Sequence, residues 1–210
     1  MRLRAITYQF VLFPNLLSII AARVGNFMNV SDLARVAGLN VSTTKRYDAL
    51  LKMVFLIVDI PAWFTNYEKR LIKSPKVYIN DTGLLCHLLN IDASGLAKNK
   101  SLQGHVLENF VVMEIIKQLG WSETQAKLYH FRTLMGHEVD IVLEGPAGNI
   151  IGIEVKSKST ISTSDFKGLQ KLKEAAGDRF LKGIILHHGE KNVSFSKDMI
   201  ALPCEALWRY

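Results

Sequence analysis

The spacing of apolar residues changes along the 210-residue sequence, and this change constrains the fold more than any other feature. Between Asn15 and Met28, apolar residues recur every three or four positions, which is typical of a helix with one buried face. In the second half, apolar and polar residues alternate in short segments, as they do on strands. The composition, with 49% hydrophobic and 21% charged residues, predicts a folded protein. The two spacing patterns together predict the mixed α/β class.

The segment before residue 60 has the pattern of a helix-turn-helix. Ser31 and Ser42 are each placed to cap a helix, and Gly38 lies in the turn between the two helices. In DNA-binding proteins with this motif, the first residues of the second helix meet the bases. The residues at these positions, which we expect to contact nucleic acid, are Thr43, Thr44, Lys45 and Arg46.

Two predicted strands, 56–60 and 76–80, follow these helices, and the loop between them is basic. Its residues Lys69 and Arg70 are expected to contact DNA, as the wing of a winged helix-turn-helix does. Residues 1–100 contain 13 basic and 6 acidic residues, whereas residues 101–210 contain 13 of each. This one-sided excess fits a polyanion-binding surface, and on charge alone a basic face that only aids solubility is the alternative. Many helix-turn-helix folds also serve protein contacts.

The polar stretch 90–100 contains glycine and is expected to be a linker, which divides the chain into domains 1–94 and 95–210. Beyond this stretch, helical spacing and strand alternation indicate a second α/β unit. The predicted elements are helix 104–119, strands 127–132, 137–144 and 149–157, helix 164–176 and strand 182–188.

Acidic and basic residues share one face of two neighbouring predicted strands. Alternation groups Asp140 on one strand with Glu154 and Lys156 on the next. Glu108 lies within the apolar face of the preceding helix, so it needs a metal ion or a basic group as partner. Carboxylates bind Mg²⁺ or Mn²⁺, and a nearby lysine can position the attacking water. The pattern predicts a metal site formed by Glu108, Asp140 and Glu154 beside Lys156, and a structural pairing of Glu108 with Lys156 is the alternative.

Four ordered segments of the sequence resemble a known family: "KRLIKSPKVYINDTGLLCHLL", "GHVLENFVVMEII", "YHFRTLMGHEVDIVLE" and "IGIEVKSKS". The family is the C-terminal domain of unknown function of prokaryotic AAA-family ATPases. The resemblance implies a winged helix joined to a restriction-endonuclease-like α/β domain of the PD-(D/E)xK type. It implies that Asp140, Glu154 and Lys156 are the nuclease motif residues and that Glu108 is the helical acid, with Val139 where the motif has proline. It further implies a P-loop ATPase domain as partner.

Several function classes are disfavoured by the sequence. The motif G-x-x-x-x-G-K-S/T does not occur, so this chain is not itself a P-loop nucleotidase. Polar residues and Pro14 interrupt the apolar start, which argues against a membrane span, and the two cysteines favour the reducing cytoplasm. Two functions stay open: a DNA-binding phosphodiesterase that uses Mg²⁺ or Mn²⁺, and a non-catalytic DNA- or protein-binding module that acts with a separate ATPase domain.

Overall fold

In the computed structural model, which describes residues 13–66 and 74–209, helices precede a large mixed sheet. This arrangement confirms the predicted mixed α/β class. Within the described ranges, no helix is both long and apolar enough to cross a bilayer. The elements of the first half are α1 (residues 13–21 of the described part), α2 (Val30–Ala37), α3 (Val41–Met53), β1 (Ile57–Ile60) and β2 (Lys76–Ile79).

The helix caps of α2 and α3 differ from the predicted serines, Ser31 and Ser42. Asn29 and Asn40 cap these helices, each accepting a hydrogen bond from the backbone N–H three residues later, at 3.1 and 2.7 Å. Asparagine caps as well as serine does, so both helices begin earlier than predicted. Gly38 ends α2 with a φ of 65°, a left-handed conformation that glycine adopts without strain.

The predicted linker 90–100 is largely helical, which corrects the expectation of an irregular connection. Asp92 and Asn99 cap two successive helices there, because each side chain accepts a backbone N–H from the first turn. The helices of the second half are α4 (Thr82–Leu88), α5 (Ala93–Lys98), α6 (Lys100–Trp121) and α7 (Lys167–Ala176).

A six-stranded sheet forms the second half, with strand order β3-β4-β5-β6-β8-β7. The neighbours β3, β4 and β5 pair antiparallel, whereas β5, β6 and β8 pair in parallel, with α7 in the connection from β5 to β6. The last two strands were not expected from the sequence. The strands are β3 (Lys127–Arg132), β4 (Glu138–Glu144), β5 (Ile150–Lys156), β6 (Phe180–His187), β7 (Val193–Ser196) and β8 (Met199–Pro203).

One hydrophobic cluster joins the two halves of the chain. It contains Leu16 and Tyr78 from the first half together with Val112 and Ile153 from the second. All four residues of β2 are buried, because α6 packs against this strand. Segments on both sides of the predicted boundary at 94/95 therefore share a core, and β2 carries its side chains into it.

Candidate functional site

A lysine from the first half of the chain lies among the acids of the second half. Lys76 is 2% exposed, and its Nζ lies 3.0 Å from Glu108 Oε1 and 3.0 Å from Asp140 Oδ1. Glu138 Oε2 is 3.9 Å from the same nitrogen. We call Lys76, Glu108, Asp140, Glu154 and Lys156 the acid–lysine cluster.

The strands β4 and β5 hold the remaining members of the cluster as alternation predicted. Ile141 pairs with Ile153 across these antiparallel strands. Asp140 precedes Ile141 and Glu154 follows Ile153, so the two acids lie on neighbouring strands at the same end of this pair. Asp140 Oδ2 accepts the backbone N–H of Val155 at 3.0 Å, and Glu154 Oε1 binds Lys156 Nζ at 2.7 Å. The three motif residues are therefore neighbours, whereas the predicted alternative pairing of Glu108 with Lys156 is replaced by pairing with Lys76.

The environment of Glu108 explains why a carboxylate is tolerated in this apolar face of α6. The Tyr78 hydroxyl donates to Glu108 Oε1 at 2.7 Å, beside the ammonium of Lys76. The turn after α1 packs against the same carboxylate, where a Cβ on Gly25 would lie 3.1 Å from Oε1 and the φ is 75°. Glycine at this position therefore gives both the left-handed turn and the close approach.

Burial and neighbouring charges shift the protonation of the cluster. Burial, together with the charge of Asp140, raises the pKa of Glu108 to about 7 and that of Glu154 to about 8. Burial alone would lower the pKa of Lys76, but the charges of Asp140 and Glu108 outweigh it and raise that pKa. Lys76 therefore stays charged at neutral pH and balances Glu108 and Asp140, while Lys156 pairs with Glu154.

The cluster does not fit a divalent metal ion in this arrangement. Among the described residues, no three acid, histidine or cysteine side chains are grouped so that they could hold a metal ion. The ammonium of Lys76 lies between Glu108 and Asp140, two of the three predicted ligands, and engages an oxygen of each. The observed arrangement is an ion-pair network that satisfies the buried acids with a side chain.

Sequence reasoning missed Lys76, although a signal for it was present. The strand 76–80 was predicted, and alternation places Lys76 and Tyr78 on one face of it. A lysine in a short, otherwise apolar strand needs a buried acid as partner, and Glu108 likewise lacked a partner. Combining the two requirements indicates this pair, but it does not indicate that Asp140 joins it.

The predicted nucleic-acid residues of α3 divide between the surface and the interior. Lys45 and Arg46 are exposed, and Thr43 is half-buried. Thr44 is fully buried and its hydroxyl donates to the Asn40 carbonyl, so the prediction of a base contact does not fit its position. Lys69 and Arg70 of the predicted wing lie outside the described residues.

The raised pKa values of Glu108 and Glu154 predict that stability falls with rising pH. The folded state keeps protons on these carboxyls that the unfolded chain releases near its ordinary value of 4.5. The unfolded state therefore binds fewer protons, and we expect the free energy of unfolding to decrease by roughly 1–3 kcal/mol between about pH 5 and pH 8. Urea titrations at a series of pH values measure this slope.

Two glutamine variants control this pH experiment. Glu154→Gln is expected to flatten the slope, because a neutral side chain replaces the one with the larger shift. Glu123→Gln, an exposed position, is expected to leave the slope unchanged. Stability that increases from pH 5 to pH 8 in the wild type would contradict the assignment.

Comparisons with known proteins identify the family but no activity. Residues 103–207 match Domain of unknown function (DUF4143), and residues 4–95 match Domain of unknown function (DUF8612). The uncharacterized proteins Mb2031c of Mycobacterium bovis and Rv2008c of Mycobacterium tuberculosis are each 32% identical over 185 residues, or 87% of this chain. The chain spans only 40% of the length of these relatives.

One chain of a solved assembly of Thermococcus gammatolerans McrB AAA+ hexamers with bound McrC was also compared. The match covers 91% of the present chain and 70% of the assembly's chain. The identity is 9% and the TM-score is 0.34, which is too low to assign a shared fold. The match to DUF4143, over residues 103–207, covers half of the 210-residue sequence, and the chain therefore belongs to the DUF4143 family.

Proposed function

We propose that this chain is a non-catalytic DNA-binding module that acts with an ATPase domain. The observation that carries the non-catalytic part is the position of Lys76, whose ammonium engages Glu108 and Asp140 at 3.0 Å each. In this arrangement the acids of the nuclease-like motif serve as partners of an internal cation. The acid–lysine cluster then stabilises the fold and joins β2 to the sheet.

The DNA-contacting surface of this proposal is the first half of α3. Lys45 and Arg46 are exposed there, in the half of the chain that carries the whole positive excess. The order of α2, a short turn, α3 and an antiparallel strand pair supports a winged helix-turn-helix. Exposed lysine and arginine side chains bind DNA by displacing counterions from phosphates.

The ATPase part of the proposal rests on the resemblance to the C-terminal domain of AAA-family ATPases. The matched region makes up 40% of the length of the curated relatives, so most of each relative lies outside it. The chain has no P-loop motif of its own, so ATP hydrolysis would belong to another domain or protein. A cytoplasmic setting agrees with the free thiols of Cys86 and Cys204.

Charge reversal on α3 tests DNA contact. We expect Lys45→Glu together with Arg46→Glu to weaken duplex DNA binding at least about tenfold and to reduce the slope of log K against log salt by about 2. Fluorescence anisotropy at several KCl concentrations measures both quantities. Lys191→Glu with Lys197→Glu, two exposed lysines next to β7, gives the same charge change as a control.

Unchanged affinity and salt slope in the α3 variant, with tight wild-type binding, would reject DNA contact by α3. A protein-binding role would then be favoured by the other end of the same helix. Leu50 and Met53 are 40% and 70% exposed there, and Phe55, two residues beyond the helix, is 74% exposed. Exposed apolar side chains that lie together are typical of protein interfaces.

A metal-dependent phosphodiesterase is the second candidate function, and one observation favours it. Glu154 Oε2 is buried with no hydrogen-bond partner among the described residues, beside Lys156 and Asp140. This candidate requires Lys76 to leave Asp140 before Mg²⁺ or Mn²⁺ binds. Chelator-sensitive cleavage of DNA that is lost in both Asp140→Ala and Lys156→Ala would establish it. Cleavage at the wild-type rate in both variants would reject it.

A further inference from the structure

A cavity lies where residues of the first half of the chain meet the end of β3, and it shares no residue with the acid–lysine cluster or α3. Its volume is about 440 Å³, within the range of about 300–1,000 Å³ that is typical of small-ligand sites. We call it the Phe27 cavity. Most of its described lining residues are apolar, namely Phe27, Ala62, Phe64, Phe131 and Leu134. An apolar cavity with a few polar groups is the usual form of a ligand site.

A buried histidine in the wall of the Phe27 cavity has no hydrogen-bond partner for its side chain. His130 is 2% exposed, and neither of its ring nitrogens is hydrogen-bonded within the described residues. Burial and the charge of Lys76 lower the pKa of His130 to about 4, and the Ser74 backbone opposes this shift less strongly. The imidazole is therefore neutral at neutral pH, with one N–H donor and one acceptor to offer.

Arg132 places a positive charge at the rim of the Phe27 cavity. Its guanidinium carbon lies 4.5 Å from the centre of the Phe27 ring, and its Nε is 3.2 Å from Glu138 Oε1. The side chain is nevertheless 45% exposed. A guanidinium has five N–H donors, more than one carboxylate oxygen uses, and its planar fork suits the oxygens of a phosphate. The rim therefore offers a binding group for an anion.

We propose that the Phe27 cavity binds one unpaired nucleotide: the base packs against the phenyl rings and reaches His130, and the phosphate pairs with Arg132. This inference goes beyond the duplex contact proposed for α3, because it adds a second site for nucleic-acid chemistry that is built from other residues.

The combination of lining groups selects a nucleotide over other small apolar ligands. Bases stack on aromatic side chains and on guanidinium planes in proteins that bind single strands. The edge of a base carries donors and acceptors side by side, and a neutral imidazole can serve one of each. An apolar protein side chain would fill the cavity, but it would give neither His130 nor Arg132 a new partner. A nucleotide uses all three kinds of lining group.

The sequence around the Phe27 cavity also favours a phosphate-bearing ligand. Phe64 and Ser74 line the cavity, and in the sequence they flank the basic segment that contains Lys69 and Arg70. Positive charge close to a site attracts anionic ligands to it. This charge is of no use to an uncharged ligand.

Only the imidazole of His130 has to move for contact with the base. The backbone N–H of His130 donates to the Pro61 carbonyl at 2.9 Å, and its carbonyl accepts the Trp63 N–H at 2.7 Å. The ring nitrogens are covered by surrounding atoms, so the ring turns toward the cavity when the base enters. Side-chain rotations are common on binding, whereas the backbone usually moves little.

Titrations of the 210-residue protein with deoxyadenosine monophosphate (dAMP) test the proposal by calorimetry. We expect the wild type to bind dAMP with a Kd below about 1 mM. Ser74 is exposed at the rim, so Ser74→Trp is expected to block entry and to weaken binding at least about tenfold. Ser101→Trp, at an exposed serine outside the described lining of the cavity, is the matched control and is expected to bind as the wild type does.

The two polar groups are tested separately. Arg132→Gln is expected to weaken dAMP binding about tenfold, whereas Arg209→Gln, which removes an arginine paired with Glu205, is expected to have no effect. His130→Phe is expected to weaken binding at least about fivefold and to keep or raise the melting temperature, because it removes a buried polar group that lacks a partner. A lowered melting temperature would show that the imidazole supports the fold, and it would overturn its assignment to the base.

A second probe, single-stranded oligo(dA), distinguishes a free nucleotide from an unpaired base of a DNA strand. Its binding is measured by fluorescence anisotropy in the Lys45→Glu, Arg46→Glu background, so that α3 does not contribute and either proposal can fail alone. Weakening by Ser74→Trp of oligo(dA) binding only indicates a strand, and weakening of dAMP binding only indicates a free nucleotide. Weakening of both indicates a site that accepts either source.

The proposal is overturned if the wild type binds neither probe. It is equally overturned if Ser74→Trp and Arg132→Gln bind both probes as tightly as the wild type does. N-acetyltryptophanamide is the probe for a protein side chain. If it binds in place of the nucleotides and Ser74→Trp blocks it, the Phe27 cavity receives a partner protein and the nucleotide assignment is wrong.

Discussion

Replacement of Lys76 with methionine is expected to lower the free energy of unfolding by about 3–5 kcal/mol in the presence of EDTA. Methionine has a similar length but leaves Glu108 and Asp140 without the ammonium that each contacts at 3.0 Å. Both carboxylates are largely buried, so water replaces the lost partner poorly. Urea denaturation followed by circular dichroism gives the change.

Two further variants test whether the stability loss of Lys76→Met comes from its buried ion pairs. Lys117→Met is expected to change stability by less than about 0.5 kcal/mol, because Lys117 is exposed and its partner Glu114 keeps a hydrogen bond from Trp208 Nε1. Adding Asp140→Asn to Lys76→Met is expected to cost less than the sum of the single changes, because it removes one of the stranded charges. A loss below about 1 kcal/mol for Lys76→Met would show that the network contributes little to the fold.

The second large effect is expected at Asn109, which joins α6 to the backbone of β2. Its side chain accepts the Ile79 N–H at 2.9 Å and donates to the Ile79 carbonyl at 3.0 Å and to Thr82 Oγ1 at 3.1 Å. Asn109 is fully buried, so Asn109→Ala leaves two backbone groups without partners. We expect a loss of about 2–4 kcal/mol, since each buried orphan group costs about 1–3 kcal/mol.

Urea denaturation measures the stability of Asn109→Ala, and hydrogen exchange of the Ile79 amide locates the effect. Gln118→Ala is the control on the same helix, because within residues 13–66 and 74–209 its side chain makes one hydrogen bond, to the Leu207 carbonyl at 2.8 Å. It is expected to cost about 1 kcal/mol and to leave Ile79 exchange unchanged. Equal losses in the two variants would contradict a special role for Asn109.

Much of the secondary structure could be predicted because its signals are local. The helical spacing of residues 104–119 and the alternation around Asp140 and Glu154 depend on residues a few positions apart. The predicted start of α3 differs from the observed start because Asn40 and Ser42 are both good N-cap residues. The hydrogen bond from the Thr43 N–H to Asn40 Oδ1 shows which of them caps the helix. The strands β7 and β8 were missed, and β7 is exposed on three of its four residues, so it carries no alternating burial signal.

The site was predicted in part for the same reason. Glu154 and Lys156 are two residues apart on one strand, and their contact at 2.7 Å follows from strand alternation. Thr44 shows the limit of this reasoning, since its position in α3 suggested DNA contact but its packing buries it completely. Which side of a helix faces the core depends on the neighbours that the helix meets.

The amino-acid sequence by itself determined the mixed α/β class, the acids on α6 and β4, and the Glu-x-Lys pair on β5, because periodicity within one element decides which residues share a face. The cation that serves these acids was decided only by tertiary structure. Lys76 is 32 residues from Glu108 and 64 residues from Asp140 in the chain, and only the packing of β2 against α6, from which the Lys76 side chain reaches β4, brings their charges together. Ion pairing between buried groups depends on three-dimensional distance and on exclusion of water, and neither is encoded in local spacing.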